Sequence, residues 1–230
     1  ITFNESTKKD LNLAGVAMDK ISVIYSYVNI DESTYLDNYE NIREKIGVYN
    51  DTKIVCSIGR LVEKKGLETF IKMVPYVIKE YDNVIFLVIG DGPLREKLMQ
   101  MCLELKIEKY VYFLGFRTDI PSIVKQVTMG VYATSESAGM IDIIRGCKVL
   151  ISRESDLMKE YIIDGETGLL AKSDHPKEYA KCVIKLLKDE ELLKNMEINT
   201  GKLYRERFEG DKNMKIFEKL VTDLIKNNIN

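Results

Sequence analysis

Histidine is almost absent from this chain, and several kinds of catalytic site are excluded with it. His175 is the single histidine among 230 residues, and it lies in the polar loop SDHP. One imidazole cannot supply a multi-histidine metal centre, and none is available for a Ser/His/Asp triad elsewhere in the chain. We expect a solvent-facing His175 without a catalytic role and a site that needs no metal.

Cysteine is also sparse, and its spacing carries no metal-binding pattern. The four cysteines, Cys56, Cys102, Cys147 and Cys182, are far apart and show no C-x-x-C arrangement. Most of them lie in apolar runs, where a cysteine behaves as a small hydrophobic residue. They are predicted to be free thiols of the core in a reducing cytoplasm.

Neither charge nor hydrophobicity is concentrated enough to indicate a nucleic-acid-binding or membrane-spanning protein. The 34 basic and 36 acidic residues leave a formal net charge of −2, so any positive site must be local. No apolar run approaches the roughly 20 residues that cross a bilayer, and no signal-peptide pattern is present. We expect a globular cytoplasmic protein without a transmembrane segment, for which peripheral attachment to the inner membrane face remains open.

Short β-prone runs alternate with stretches of helical periodicity along most of the chain. The β-prone runs are 21–25, 53–58, 83–90, 110–115, 129–134 and 148–152, and the helical stretches between them are 66–80, 93–106, 119–127 and 156–163. After residue 176 the pattern is helical only. Continuous apolar strands alternating with helices predict an α/β fold, a Rossmann-like doubly wound parallel sheet with extra carboxyl-terminal helices.

Ligands of such a sheet bind at the carboxyl ends of its strands, where four loops of this chain are expected. These loops are GRLVEKKG, GDGPLRE, GFRTDIP and SESAGM. In GDGPLRE the third glycine of a G-x-G-x-x-G phosphate loop is replaced by Arg95. A compact strand-to-helix turn therefore explains this loop at least as well as a ligand contact.

The loop GRLVEKKG carries more positive charge than a turn requires. Arg60 and Lys65 stand on either side of the turn, just before a helix whose amino terminus already repels cations. A guanidinium fork and an ammonium group together suit a diphosphate. The alternative is a solvated, lysine-rich loop, which is the interpretation we give to Lys64.

The loop SESAGM combines one carboxylate with small residues. Glu136 is followed by Ser137, Ala138 and Gly139, which would let a ligand approach the backbone amides, and Asp142 follows within reach. Glu136 could hold sugar hydroxyls, or it could cap or flank the next helix. The local pattern does not separate these two interpretations.

Taken together, these loops resemble the donor-binding half of the retaining GT-B glycosyltransferases of family 4. The resemblance follows the chain in order through the segment that runs from ESTKKDL to DKISVIYSYVN, and then through IGRLVEKKGLETFI, VIGDGPLREKL, VYFLGFRTDIPSIV, the SES loop and KEYIIDGETGLLAKSD. Each motif is weak alone, but six in register are a strong signal. The resemblance implies transfer of a sugar from a nucleotide diphosphate sugar to an acceptor hydroxyl, with no cofactor beyond that donor.

The same resemblance assigns roles to individual residues. It implies that Arg60 and Lys65 hold the donor diphosphate, that Phe116 and Arg117 lie by the base, and that Glu136 meets the donor sugar. The catalytic residues would be Arg60, Lys65 and Glu136. The donor-binding residues would be Gly59, Arg60, Lys65, Phe116, Arg117, Glu136, Ala138, Gly139, Met140 and Asp142.

The chain departs from the family in its E-x-F-G-x-x-x-x-E pattern. Eight residues after Glu136 stands Ile144 rather than a carboxylate, and the stretch 136–146 is about three residues shorter than the family pattern. Asp142 is then the only acid left for the ribose. A remodelled helix start, missing loop residues or weakened donor binding would each explain this difference.

The resemblance also divides the chain. Residues 1–30 are expected to be the tail of an amino-terminal acceptor domain, 31–210 the nucleotide-sugar domain, and 211–230 a helix that packs back toward the first domain. Ile1 as first residue suggests that the chain is a fragment. The whole protein is expected to be a hexosyltransferase, and this fragment alone is expected to be inactive. The acceptor would be a sugar or a lipid-linked acceptor. The alternatives are a non-catalytic partner subunit of a transferase and, more remotely, a GT-B epimerase or phosphorylase.

Overall fold

The fold is built on one six-stranded parallel sheet. The computed structural model describes residues 1–25, 40–134 and 139–229. Its strands are β1 (Lys53–Ile58), β2 (Val84–Ile89), β3 (Val111–Gly115), β4 (Met129–Tyr132), β5 (Val149–Arg153) and β6 (Gly168–Ala171). They are ordered β3-β2-β1-β4-β5-β6, and every neighbouring pair is parallel. The predicted doubly wound α/β fold is confirmed.

Helices connect the strands and extend the chain after β6. They are α1 (Glu5–Leu13), α2 (Ile42–Ile46), α3 (Leu67–Ile78), α4 (Arg95–Glu104), α5 (Ile120–Val124), α6 (Gly139–Arg145), α7 (Met158–Tyr161), α8 (Pro176–Lys188), α9 (Glu190–Leu203) and α10 (Gly210–Ile229). His175 accepts a hydrogen bond at Nδ1 from the amide of Lys177, 3.2 Å away, and so caps α8. This residue therefore has a structural task at a helix start.

Each face of the sheet carries its own hydrophobic core. Val55 and Val88 point into one core together with α3, α4, α8 and α9, whereas Cys56 and Leu87 point into the other with α2, α5, α6 and α7. Because both faces are covered, the strands need apolar residues at every position, which is why they read as continuous runs in the sequence. Cys56 is a free thiol in the second core, and burial raises its pKa.

Several elements differ from the sequence prediction. The run 21–25 is not a strand of the sheet, since its described pairing is a single bridge between Val23 and Thr2. The structure adds α1, α2, α6 and β6, which no predicted run covered. All four are short, with nine, five, seven and four residues, so none repeats a period often enough to stand out.

The strand order places a topological switch between β1 and β4. Chain connections lead from β1 outward through β2 and β3 on one side, and from β4 outward through β5 and β6 on the other. In open parallel sheets the crevice at such a switch, at the carboxyl ends of the strands, is where ligands bind. The loops GRLVEKKG and SESAGM follow the two strands that flank this switch.

Candidate functional site

The loops after β1 and β2 are locked together through their backbones. The amide of Leu61 donates to the carbonyl of Asp91, and the amide of Leu94 donates to the carbonyl of Leu61, both at 3.0 Å. Gly90 has a φ of +133°, and a Cβ there would stand 2.0 Å from the carbonyl oxygen of Gly59. The glycines of GDGPLRE therefore serve close packing of two loops, which favours the structural interpretation of that motif.

Arg60 leaves this locked loop toward solvent at the carboxyl end of β1. It is exposed and lines a cavity of about 240 Å³. The other lining residues come from the ends of β1 and β2, the loops after β1, β2 and β3, and the first residue of α5: Ile58, Gly59, Ile89, Gly90, Asp91, Phe116, Arg117 and Ile120. The predicted residues Gly59, Arg60, Phe116 and Arg117 are thus brought to one cavity from two loops that are distant in sequence.

Lys65 lies on the far side of the same turn, next to β4. It ends the 3₁₀ turn Glu63–Lys65 and is partly buried. Gly66 follows in the left-handed conformation, and a Cβ there would stand 2.2 Å from the carbonyl oxygen of Ala133, just beyond β4. Lys65 is not among the described residues that line the 240 Å³ cavity, so its convergence with Arg60 on one ligand group stays a prediction.

Phe116 and Arg117 differ in how their side chains are held. Phe116 is 77% exposed at the rim of the cavity. The Arg117 guanidinium donates from Nε and Nη2 to the two oxygens of Asp119, at 2.7 and 2.5 Å, and its Nη2 also lies 2.6 Å from Oε2 of Glu40. These contacts raise the pKa of Arg117 and hold the pKa values of Asp119 and Glu40 below their usual range.

The loop after β4 is described at residues 133 and 134 and again from Gly139, where α6 begins. Glu136 and Ala138 lie outside the described residues, and their assigned roles stay predictions. Gly139 and Met140, which open α6, are buried. A Cβ at Gly139 would stand 2.7 Å from the carbonyl oxygen of Ile58, so the first turn of α6 is seated against the end of β1.

The acid assigned to the ribose lies in a poorly solvated position. Asp142 is in the first turn of α6 and is only partly exposed. Burial raises the pKa of its carboxyl, and Arg145 opposes that shift. Ile144, at the position of the family's second carboxylate, is 1% exposed and belongs to the core. Asp142 therefore remains the candidate acid of this helix.

A larger opening lies on the opposite side of the molecule. It has a volume of about 690 Å³ and is lined by residues that precede or begin strands, among them Asn83, Lys53, Thr128 and Lys148. It therefore faces the amino edge of the sheet, where α/β folds of this kind do not place their ligands. We assign the candidate site to the smaller cavity at the carboxyl edge.

Sequence patterns did not point to two residues of this site. Glu40 and Asp119 both bind the Arg117 guanidinium. The Arg117-x-Asp119 spacing is a local signal that could have been noticed, whereas Glu40 is joined to Arg117 only by the fold.

In the described part of the chain, no group of three or more His, Cys, Asp or Glu residues could hold a metal ion, and no helix is long and apolar enough to span a membrane.

These features define a doubly wound α/β domain with its candidate ligand site at the carboxyl edge of the sheet, in a cavity between the loops that follow β1, β2 and β3. The sequence profile of the glycosyl transferases group 1 family matches residues 38–203. The chain belongs to this family, which confirms the resemblance carried by its motifs.

Curated relatives extend the match over most of the chain. Alpha-monoglucosyldiacylglycerol synthase of Acholeplasma laidlawii is 25% identical over 229 residues, which is 91% of this chain and 54% of that protein. N-acetyl-alpha-D-glucosaminyl L-malate synthase of Bacillus anthracis is 27% identical over 214 residues, 91% of this chain and 55% of that protein. The chain thus spans about half the length of these relatives.

Solved structures share the fold. HepE of Anabaena, crystallised in complex with UDP, superposes with a TM-score of 0.83 at 20% identity, over 96% of this chain and 63% of that one. The carboxyl-terminal domain of LpcC, a glycosyl transferase group 1 family protein of Francisella tularensis, gives a TM-score of 0.66 at 20% identity, over 78% of this chain and 98% of that domain.

Proposed function

We propose that this chain is the donor-binding part of a retaining glycosyltransferase that uses a nucleotide diphosphate sugar. The observation that carries the proposal is the position of Arg60 just after β1, at a cavity of the carboxyl edge whose rim holds the exposed ring of Phe116. A cation and an aromatic face at one cavity suit a phosphate and a base of one nucleotide.

Arg60 and Lys65 would act on the leaving group. When the bond between the anomeric carbon and the phosphate oxygen breaks, the diphosphate keeps the electron pair and gains negative charge. The acceptor oxygen forms the new bond to the same carbon on the same face, and its proton passes to the departing diphosphate. Cations fixed in advance by the loop stabilise this transition state more than the ground state, which is the condition for catalysis.

The remaining predicted residues would hold the rest of the donor. We assign the base to Phe116 and Arg117, the ribose to Asp142, and the sugar to Glu136. The backbone amides of Gly59, Ala138, Gly139 and Met140 would contact the phosphates and the sugar, because the small side chains of this set let a ligand approach the backbone. Among the bases we favour uracil and among the sugars a hexose, because HepE was crystallised with UDP and with UDP-glucose.

The complete enzyme would contain a second domain. Because relatives are about twice as long as the matched part, we propose an amino-terminal domain that binds the acceptor, with 1–30 as its tail and α10 returning toward it. The chain alone would then bind a donor but transfer nothing. A lipid-linked acceptor is consistent with the name of the Acholeplasma laidlawii relative and would place the enzyme peripherally at the inner membrane face.

Calorimetric titration with UDP, GDP and ADP tests the proposal. We expect the chain to bind at least one of them, and Arg60→Ala and Lys65→Ala each to weaken that binding about ten- to a hundredfold, since each removes a charge-assisted contact of about 1.5–3 kcal/mol. Lys64→Ala is the matched control, because Lys64 is an exposed lysine of the same turn with no assigned contact.

Two results would contradict the proposal. Unchanged affinity in both Arg60→Ala and Lys65→Ala would remove the diphosphate assignment. If neither the unaltered chain nor any longer protein that contains it binds UDP, GDP or ADP, the result would instead favour a non-catalytic partner subunit.

A further inference from the structure

Arg117 joins two segments that are far apart in the sequence. Its guanidinium binds Asp119 through two hydrogen bonds, at 2.7 and 2.5 Å, and meets Oε2 of Glu40 at 2.6 Å. The side chains of Arg117 and Asp119 are only 18% and 17% exposed. A partly buried arginine held by two carboxylates has a fixed position, because moving it would leave charge unpaired in a poorly solvated place.

Glu40 is itself held by its own surroundings. Its Oε1 accepts a hydrogen bond from Lys45 Nζ at 2.7 Å, and its carbonyl oxygen accepts one from Gln126 Nε2 at 3.0 Å. Gln126 Oε1 in turn accepts from the amide of Ile42 at 2.9 Å. The segment that begins at Glu40 is therefore docked beside the end of α5, so its carboxylate is a fixed partner for Arg117.

Phe116 depends on this arrangement more than on packing. Its ring is 77% exposed, so few neighbours restrain it directly, and the residue that follows it is Arg117. Because Phe116 is joined to Arg117 by a peptide bond, contacts that hold the Arg117 side chain also restrict the backbone at Phe116. The opposing charges also shift the pKa values of all three groups toward their ionised forms, as expected for persistent ion pairs.

We propose that Glu40 is a positioning residue for the nucleotide base: it fixes Arg117, and through Arg117 it keeps the Phe116 loop where the base binds. The inference rests on the proposed function. It adds a residue from the segment before β1 to a site otherwise built from loops at the carboxyl edge of the sheet.

Separate titrations with UDP and with pyrophosphate distinguish positioning of the base from a general loss of structure. In Glu40→Gln we expect the affinity for UDP to fall about three- to tenfold, the range for contacts that act through a neighbour. Pyrophosphate has no base, so its affinity should stay unchanged. Glu80→Gln is the matched control, since it removes a carboxylate paired with Lys188 at 2.9 Å on another surface, and it should change neither affinity.

A double substitution tests whether Glu40 acts through Arg117. In an Arg117→Ala background, Glu40→Gln should cause no further loss of UDP affinity, because the residue that transmits its effect is gone. Three results would overturn the inference while leaving the donor site in place. The first is a full additional loss of UDP affinity in the Arg117→Ala background. The others are an equal loss of pyrophosphate affinity in Glu40→Gln and an unchanged UDP affinity in Glu40→Gln. If neither the unaltered chain nor a longer protein that contains it binds a nucleotide, the proposed function fails and this inference fails with it.

Discussion

Gly66 meets two constraints at once, and both concern the position of Lys65. Its φ of +65° lies in the left-handed region, and a Cβ would collide with the backbone of Ala133 at 2.2 Å. The first constraint could be met at a moderate energetic cost by another residue. The second could not, because the nearest obstructing atoms belong to the backbone of Ala133, just after β4, rather than to a flexible side chain.

Gly47 offers a matched comparison for Gly66. It has a φ of +71°, and no atom lies within 4 Å of the point that a Cβ would occupy there. Gly47→Ala should therefore lower the free energy of unfolding by about 1–2 kcal/mol, the cost of left-handed backbone alone. We expect Gly66→Ala to lose clearly more, and also to lose nucleotide affinity as the Lys65 turn moves away from β4. Urea unfolding and UDP titration of both variants check this, and equal losses would show that contact with Ala133 does not fix the turn.

The site could be predicted from sequence where its residues lie in continuous motifs. Arg60 and Lys65 belong to one short turn between a strand and a helix, so local spacing alone brings them to the same sheet edge. Glu40 could not be found this way, because only the folded chain brings it to Arg117. Contacts of this kind join distant segments and leave no periodic signal.

At the level of elements, α1 is tied to α7 by one carboxylate. Glu160 accepts hydrogen bonds from the amides of Glu5 and Ser6, at Oε2 and Oε1 respectively, both at 2.7 Å. Its Oε2 also accepts one from the Tyr25 hydroxyl at 3.2 Å, and the pKa of Tyr25 is raised to about 12, mainly by burial. The free amides at the start of α1 are thus satisfied by a side chain from α7.

We expect Glu160→Ala to release α1 without unfolding the sheet. Removal of a side-chain cap costs about 0.5–2 kcal/mol, and the loss should be confined to the start of the chain. Hydrogen exchange should rise in residues 5–13 and stay unchanged in β1, β2 and β4. Glu154→Ala is the control. Glu154 forms ion pairs with the side chains of Lys159 and Lys172, and neither of these pairs involves a backbone amide at the start of a helix. Equal exchange in the two variants would show that Glu160 does not hold α1.

Element boundaries follow the sequence best where burial is uniform. The apolar run 83–90 predicts a strand, and β2 spans Val84–Ile89 with all six residues buried. The run 21–25 has a similar β-prone composition, but it does not lie beside another strand of the sheet. Its described backbone pairing is with the start of the chain, where the Thr2 amide donates a hydrogen bond to the Ser22 carbonyl. Composition shows that a segment can be a strand, whereas the available neighbours decide whether it becomes one.

At the scale of the whole molecule, both ends of the chain expose apolar side chains. Phe3 and Leu13 near the start are 64% and 86% exposed, and Leu224 and Ile225 on α10 are 53% and 54% exposed. Exposed apolar side chains are a feature of surfaces that meet a partner. In the proposed two-domain enzyme, the amino-terminal domain would cover them.

The combined substitution of Leu224 and Ile225 by Ser tests that arrangement. In the 230-residue chain, where both side chains already face solvent, we expect a change of no more than about 0.5 kcal/mol in the free energy of unfolding. In a protein that carries the amino-terminal domain, the same substitution should lower sugar transfer and increase hydrogen exchange in α10, because an apolar contact between the domains is lost. Leu103→Ser on α4, where Leu103 is 57% exposed, should affect neither protein. Unchanged transfer in the longer protein would mean that α10 does not return to the first domain.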